Sequence, residues 1–319
     1  QTDMPTEKTS PTQPIPTNPP PYSLTFIRPD DLIDFTPALR QQALNNLKKF
    51  RWEQSPFVPP LGPNNPLLGS INIGNTAGGV NWPGSGFDPE TATFYTMASN
   101  TNVNAGKYYE EEFDQIRSDK FSAANPRKPR WEADPNYGLR GTNQPGGAPI
   151  PAAAAAAMAA NPANAGRAAL GEGLDGLQIT KPPYGVIVGI DLNQGGKKIF
   201  SVAHGETPDN VRNHPLLKGL NIPRTGQGTS VGVMVTKTMV VAGDSQITSP
   251  AGRPRGAMLR AYDKKDGHDL GEVLMPAAIS GSPMTYQIDG RQYIIVAVSG
   301  GNYSGEYIAY ALPQSELRK

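Results

Sequence analysis

Apolar residues along this chain fall mostly in short runs of period two, each closed by Asp, Gly or Pro. Runs at 186–190, 199–202, 231–236, 239–242, 258–262, 284–288, 293–298 and 307–311 are of this kind, and 93–98 is another. Such runs predict strands. Asp289-Gly290 separates two of them, and because both residues tolerate positive φ the pair predicts a tight hairpin. One stretch only has a convincing helical period. Leu39, Ala43, Leu47 and Phe50 stand at i, i+4, i+8 and i+11, with Thr36 placed to cap and Pro37 at the first helical position. The opposite face (Arg40, Gln41, Gln42, Asn45, Asn46, Lys48) is polar, so this helix docks through a single stripe.

Two of the strands share a longer grammar. Val186-Ile-Val-Gly-Ile-Asp-Leu-Asn-Gln-Gly195 and Leu259-Arg-Ala-Tyr-Asp-Lys-Lys-Asp-Gly267 each run from a strand into Asp, then three residues, then Gly. That recurrence is the mark of β-propeller blades. The expected fold is all-β, with blade material around Asn81, at 184–202, at 231–262 and in the terminal cluster, about four blades in all. Blades that do not close a ring leave edges that something must cover.

Composition fits loop-rich β structure. Gly (35) and Pro (33) make up about a fifth of the 319 residues, hydrophobic residues are 37% and charged residues 18%. A net charge of +1 gives no electrostatic case for nucleic acid or an anionic membrane surface. Zero Cys excludes disulfides, thiolate metal sites and Cys nucleophiles. No apolar run approaches the about 20 residues of a membrane-spanning helix. Five segments follow: a Pro-rich connector at 1–35, the docked helix at 36–52, a blade at 53–142, an Ala/Pro/Gly-rich insertion at 143–178 and further blades at 179–319. The insertion carries six consecutive Ala from Ala152 to Ala157, and the part at 145–175 is expected to be mobile and first cut by proteases near Arg167. Residues 107–118 read ambiguously as a charged helix.

Several segments resemble one family, the pyrroloquinoline quinone (PQQ)-dependent alcohol and glucose dehydrogenases. They are the terminal cluster Asp289-Gly-Arg-Gln-Tyr-Ile-Ile-Val-Ala-Val-Ser-Gly-Gly301, the strand opening Lys181-Pro-Pro-Tyr-Gly185, the loop wording Gly205-Glu-Thr-Pro-Asp209 and Arg212-Asn-His-Pro215, and Gly78-Gly-Val-Asn-Trp82. The resemblance is specific at 181–313 and 78–89 and poor at 100–178. It implies an eight-bladed ring of which this chain supplies roughly the last half, a fragment made by proteolysis or a split gene; the other reading of the Pro-rich start is a mature N-terminus after signal removal. It also implies a periplasmic or extracellular setting.

In this family the Asn of Gly-Gly-x-Asn-Trp bonds the quinone, so the resemblance makes Asn81 and, less directly, Trp82 cofactor contacts. Read from the residues alone, Asn81 equally caps a turn ahead of a packed Trp. The loop Gly226-Gln-Gly-Thr-Ser-Val-Gly232 precedes a strand and opens no helix, so it is no dinucleotide loop. By resemblance it runs under the quinone, adding Gly228 and Thr229. The docking Trp that the family sets between blades is replaced here by Ile199 or Phe200 in one blade and by Gly271 in the next. His204, His214 and His268 show no metal-ligand spacing. The catalytic Asp, the ligands of Ca²⁺ or a lanthanide, and the quinone-polarising cation match nothing in this chain and are expected on the missing upstream half, on a second chain supplying the remaining blades. The implied activity is oxidation of an alcohol, polyol or sugar, with a cytochrome as possible acceptor. The alternative is a propeller that has lost its cofactor and serves as a structural or assembly subunit.

Overall fold

The structure, a computed structural model, describes residues 10–62, 64–74, 79–107, 162–279, 281–300 and 303–312. In chain order its strands are β1 (Ser70–Ile73), β2 (Ser85–Asp88), β3 (Thr93–Ser99), β4 (Val103–Gly106), β5 (Gly185–Asp191), β6 (Lys197–Ala203), β7 (Val233–Val235), β8 (Met239–Gly243), β9 (Ala257–Asp263), β10 (Asp269–Met275), β11 (Met284–Ile288), β12 (Arg291–Gly300) and β13 (Tyr303–Ala311). The helices are α1 (Pro37–Leu47), α2 (Pro162–Leu170) and the single turn α3 (Asp209–Arg212). All strand pairs are antiparallel and form four sheets, β1-β4, β2-β3-β5-β6, β7-β8-β9-β10 and β11-β12-β13. Asp289 (φ +48°) and Gly290 (φ +77°) make the expected hairpin turn between β11 and β12.

The chain divides into two compact units. One comprises Gln1–Ile15, Thr25–Asn75 and Val103–Lys181. Here Thr36 Oγ1 accepts from Leu39 N at 3.2 Å and caps α1, whose Leu39, Ala43 and Leu47 are buried as the stripe predicts. Asn46, expected on the polar face, is fully buried instead. Its Nδ2 donates to the carbonyls of Leu170 (3.0 Å) and Glu172 (2.8 Å), closing the C-terminal end of α2. Where an irregular or mobile insertion outside the blade core is expected, residues 162–170 are helical. Helix-forming Ala and Leu make α2 there, and Leu170 and Leu174 are buried. The rest of that expectation, at 143–161, and the charged helix expected at 107–118 beyond Lys107, lie outside the described residues.

The other unit comprises Pro16–Leu24, Thr76–Asn102 and Pro182–Lys319, and holds the three larger sheets. The strands near Asn81 and those of 184–202, grouped separately from sequence, belong to one sheet. β3 pairs with β5 from Thr93↔Asp191 to Ser99↔Gly185 across a long excursion of the chain. The fourth sheet is the two-stranded β1-β4 ladder of the other unit. Part of the Pro-rich segment lies along the first blade, where Lys198 Nζ donates to Pro21 O (2.7 Å) and Leu24 N to Asn100 Oδ1 (2.9 Å).

Successive blades are joined by one continuous core that includes Tyr95, Met97, Ile187 and Phe200 from the first, Val233, Val241, Leu259 and Tyr262 from the second, and Val296 and Val298 from the third. Phe200 takes the expected docking position. It pairs with Gly189, its ring stands 6.2 Å from that of Tyr95, and it covers Gly267 in the turn of the next blade. A Cβ on Gly267 (φ +75°) would stand 2.6 Å from the Phe200 ring, so that turn needs glycine twice over. Beside it, buried Lys264 pairs with buried Asp88 at 2.5 Å and ties β2 to the β9–β10 turn. In the second blade the matching residue opposite Ala261 is Gly271, exposed and with nothing within 4 Å of a Cβ, as the sequence implies.

Candidate functional site

In a meander each sheet gathers the starts of its odd strands and the ends of its even ones at one edge. Here the first strands of the three blades, β2, β7 and β11, begin close together. Ser282 Oγ donates to Pro83 O (2.8 Å), and a Cβ on Gly232 would collide with both groups. Gly79 O accepts from Ser99 N (2.7 Å) and Ser230 Oγ (3.1 Å). Gly228 O accepts from Thr101 Oγ1 (3.1 Å) and from Ser99 Oγ. The Gly79–Gly84 segment and the Gly226–Gly232 loop therefore meet across the end of β3, and these are the two loops that carry the four residues expected to touch a cofactor.

Asn81 has φ +63° and is exposed, and its Oδ1 accepts from Trp82 N at 2.8 Å, which leaves its Nδ2 as the outward donor among the described residues. Trp82 is 96% exposed, so it is not the packed Trp that a simple turn cap would precede. Thr229 is half-buried at the neighbouring loop. The segments 79–84, 99–102, 226–232 and 281–283 contain Gly, Ser, Thr, Asn, Gln, Val, Pro and Trp and no ionisable side chain. This edge can hydrogen-bond and stack on a flat polar heterocycle, and among its described residues no side chain is a carboxylate or an imidazole.

Of the three His residues, His204 and His214 serve the scaffold. His204 is fully buried, with Nε2 3.0 Å from Gly243 O and Nδ1 2.9 Å from Tyr262 Oη. A carbonyl only accepts, so Nε2 carries the proton and Nδ1 accepts from the phenol. Burial pushes the imidazole down to about 4. His214 caps a turn by accepting from Leu216 N (3.2 Å). His268 is exposed beside Asp266, which holds its imidazole above the usual His range. Asp263, Asp266 and His268 offer ligand atoms within 4.8 Å of one another, but they sit on the β9–β10 turn, at the opposite edge of the sheet from the cluster.

Sequence reasoning missed the buried group under this edge. Gln227 is fully buried, and its Oε1 accepts from Ser245 Oγ (3.2 Å) and Gln246 N (2.9 Å) while Nε2 donates to Gln246 O (3.3 Å). Asp244, also fully buried, takes Arg260 at 2.6 and 3.1 Å, and Arg260 reaches Glu272 at 2.7 Å. A polar residue set between glycines, as Gln227 is, was the available signal.

Residues 1–294 match the family model described as "PQQ: Glucose/ethanol/alcohol dehydrogenase, beta-propeller domain". The chain belongs to this family. Among similar proteins, the glycerol dehydrogenase large subunit of Gluconobacter oxydans is 24% identical over 97% of this chain and 38% of its own length. Quinoprotein glucose dehydrogenase A of Acinetobacter calcoaceticus is 30% identical over 44% of this chain and 17% of its own length. The chain thus spans well under half the length of these relatives. The quinohemoprotein alcohol dehydrogenase of Comamonas testosteroni, a solved structure, aligns over 76% of this chain and 27% of its own with a TM-score of 0.42 and 19% identity. Among the described residues no helix is long and apolar enough to cross a membrane.

Proposed function

We propose that this chain is the C-terminal part of a PQQ-dependent dehydrogenase oxidising alcohols, polyols or sugars, completed by further blades on a partner chain or upstream segment. The observation that carries the proposal is the meeting of the loop that bears Asn81 and Trp82 with the loop that bears Gly228 and Thr229, in a chain of this family. Asn81 Nδ2 would donate to the cofactor and the Trp82 ring would offer it a stacking face, while the hydroxyls of Thr101, Ser99 and Ser230 hold the two loops in register. Bound at this edge, PQQ would supply a two-electron acceptor, and Ca²⁺ or a lanthanide a Lewis acid, to the oxidation. The base and the metal ligands belong to the completing blades, since no carboxylate lies in the cluster. A periplasmic or extracellular setting and a cytochrome acceptor accompany this reading.

The outer face of the last sheet supports the completing blades. The registers Met284↔Ile295↔Ala309 and Tyr286↔Tyr293↔Ala311 put these residues and Ile288 on one face, with Tyr307 beside them. Met284, Ile288 and Tyr307 are 51%, 55% and 78% exposed, and the Tyr286 and Tyr293 rings stack at 5.2 Å. Ile294, Val296, Val298 and Ile308 on the other face pack into the core toward the second blade. A sheet apolar on both faces is one that other layers cover.

The test is Asn81→Ala in the complete assembly reconstituted with PQQ and Ca²⁺ or a lanthanide. PQQ affinity should fall by about 1–3 kcal/mol as a buried partner on the quinone is left unpaired, with alcohol-dependent dye reduction falling at limiting PQQ. Retention of PQQ and activity indifferent to the substitution removes Asn81 from the site. An assembly that binds no quinone makes the chain a structural subunit.

A further inference from the structure

We infer that Gln227 is a positioning residue that sets the Gly228-Thr229 segment against the Asn81 loop; the inference rests on the proposed cofactor site. Three observations converge. Gln227 is fully buried, yet every polar atom of its carboxamide is matched by the β8–β9 loop of the second blade, at Ser245 and Gln246. Its own N–H donates to His204 O (2.8 Å) at the end of β6, in the first blade. One residue on, Gly228 O accepts from Ser99 and Thr101, and Ser230 Oγ reaches Gly79 O.

Gln227 is therefore the fixed end of a short arm whose free end carries the site. The anchorage under it is rigid for chemical reasons. His204 N donates to Gly185 O (2.9 Å), while its ring bonds Gly243 O and Tyr262 Oη, so the same residue clamps both blades. Flanking glycines let the arm pass close to its supports. A Cβ on Gly226 would stand 2.6 Å from Gly185 O, and one on Gly205 2.9 Å from the Gln227 side chain. Gln227 has no exposed atom to offer a ligand, so it acts through Gly228 and Thr229. A carboxamide is the group that suits this place, because it supplies a donor and an acceptor at once without a charge to bury.

The experiment compares Gln227→Met, Gln227→Ala and Phe200→Ala with the unsubstituted protein, all as the complete assembly. PQQ binding is measured by equilibrium dialysis and amide hydrogen exchange is followed over 226–232. Gln227→Met keeps the volume and lets the fold stand if Gln227→Ala does not. Phe200→Ala is a destabilised control whose ring packs on Gly189, Tyr95 and Gly267 and touches no atom of Gln227's hydrogen-bond set. The expected result is a PQQ affinity at least tenfold weaker in Gln227→Met with faster exchange at Thr229 and Ser230, and unchanged affinity in Phe200→Ala. Equal affinity in Gln227→Met and the unsubstituted protein overturns the inference and leaves the cofactor site standing. Equal weakening by Phe200→Ala also overturns it, since the loss then follows stability alone. If the unsubstituted assembly binds no PQQ, the cofactor reading falls and the inference with it.

Discussion

At the scale of single residues, His204 gives the molecule a defined acid response. Its imidazole is neutral in the folded chain down to about pH 4, because burial opposes the charge. In the unfolded chain it takes up a proton near pH 6.5. Its contribution is thus fully present above that value and is lost as pH falls toward 4, at up to about 1.4 kcal/mol per pH unit. Urea melts of the unsubstituted protein and of His204→Gln between pH 7 and 4 should show this slope only in the former; parallel profiles would contradict it. The role of His204 was not legible in the sequence, because its partners Tyr262 and Gly243 lie far along the chain. The motif that singles out Asn81 and Trp82 can be read in the sequence, because it is local and glycine-flanked. What the motif does not reveal is that Trp82 stands 96% exposed, as a binding surface would.

Among the elements, strands announced by alternation appear close to their expected limits, and β11 matches its expected limits in full. Those missed had reasons. β2 is Ser-Gly-Phe-Asp, with one apolar residue, and β10 carries Gly271 in mid-strand. α2 was hidden because its packing partners are on α1, more than a hundred residues upstream. The docking between blades is testable at this scale. Phe200→Ala removes a buried ring from between Gly189, Tyr95 and Gly267 and should cost about 3 kcal/mol. The loss should appear in thermal melts as a lower midpoint with secondary structure intact below it. A change under 1 kcal/mol would mean that the Asp88–Lys264 pair and the shared core hold the blades without the ring.

For the whole molecule, the two-sided sheet β11-β12-β13 predicts how the chain behaves when alone. The free face of Met284, Ile288 and Tyr307 should drive self-association, and in the complete assembly it should lie within an interface of more than about 2,000 Å². Met284→Lys with Tyr307→Lys should make the isolated chain more nearly monomeric in light scattering and weaken its capture by the completing blades. A monodisperse 34.0 kDa species with a cooperative melt before any substitution would count against this. The propeller class was legible because blades repeat, and repetition survives without knowledge of contacts. The sharing of the first blade between two distant segments was not, because nothing local in 93–99 says that its partner begins at Gly185.

That sharing has a consequence for the order of events during synthesis. When β3 leaves the ribosome its neighbour β5 does not yet exist, and at about 5–20 residues per second the intervening chain takes on the order of ten seconds to appear. For that time Thr93–Ser99, all but one of whose residues end up buried, is a strand edge with no partner. The pairing of Ser99 with Gly185 is then a loop closure across that whole length, whose entropic cost rises only slowly with the number of residues between them.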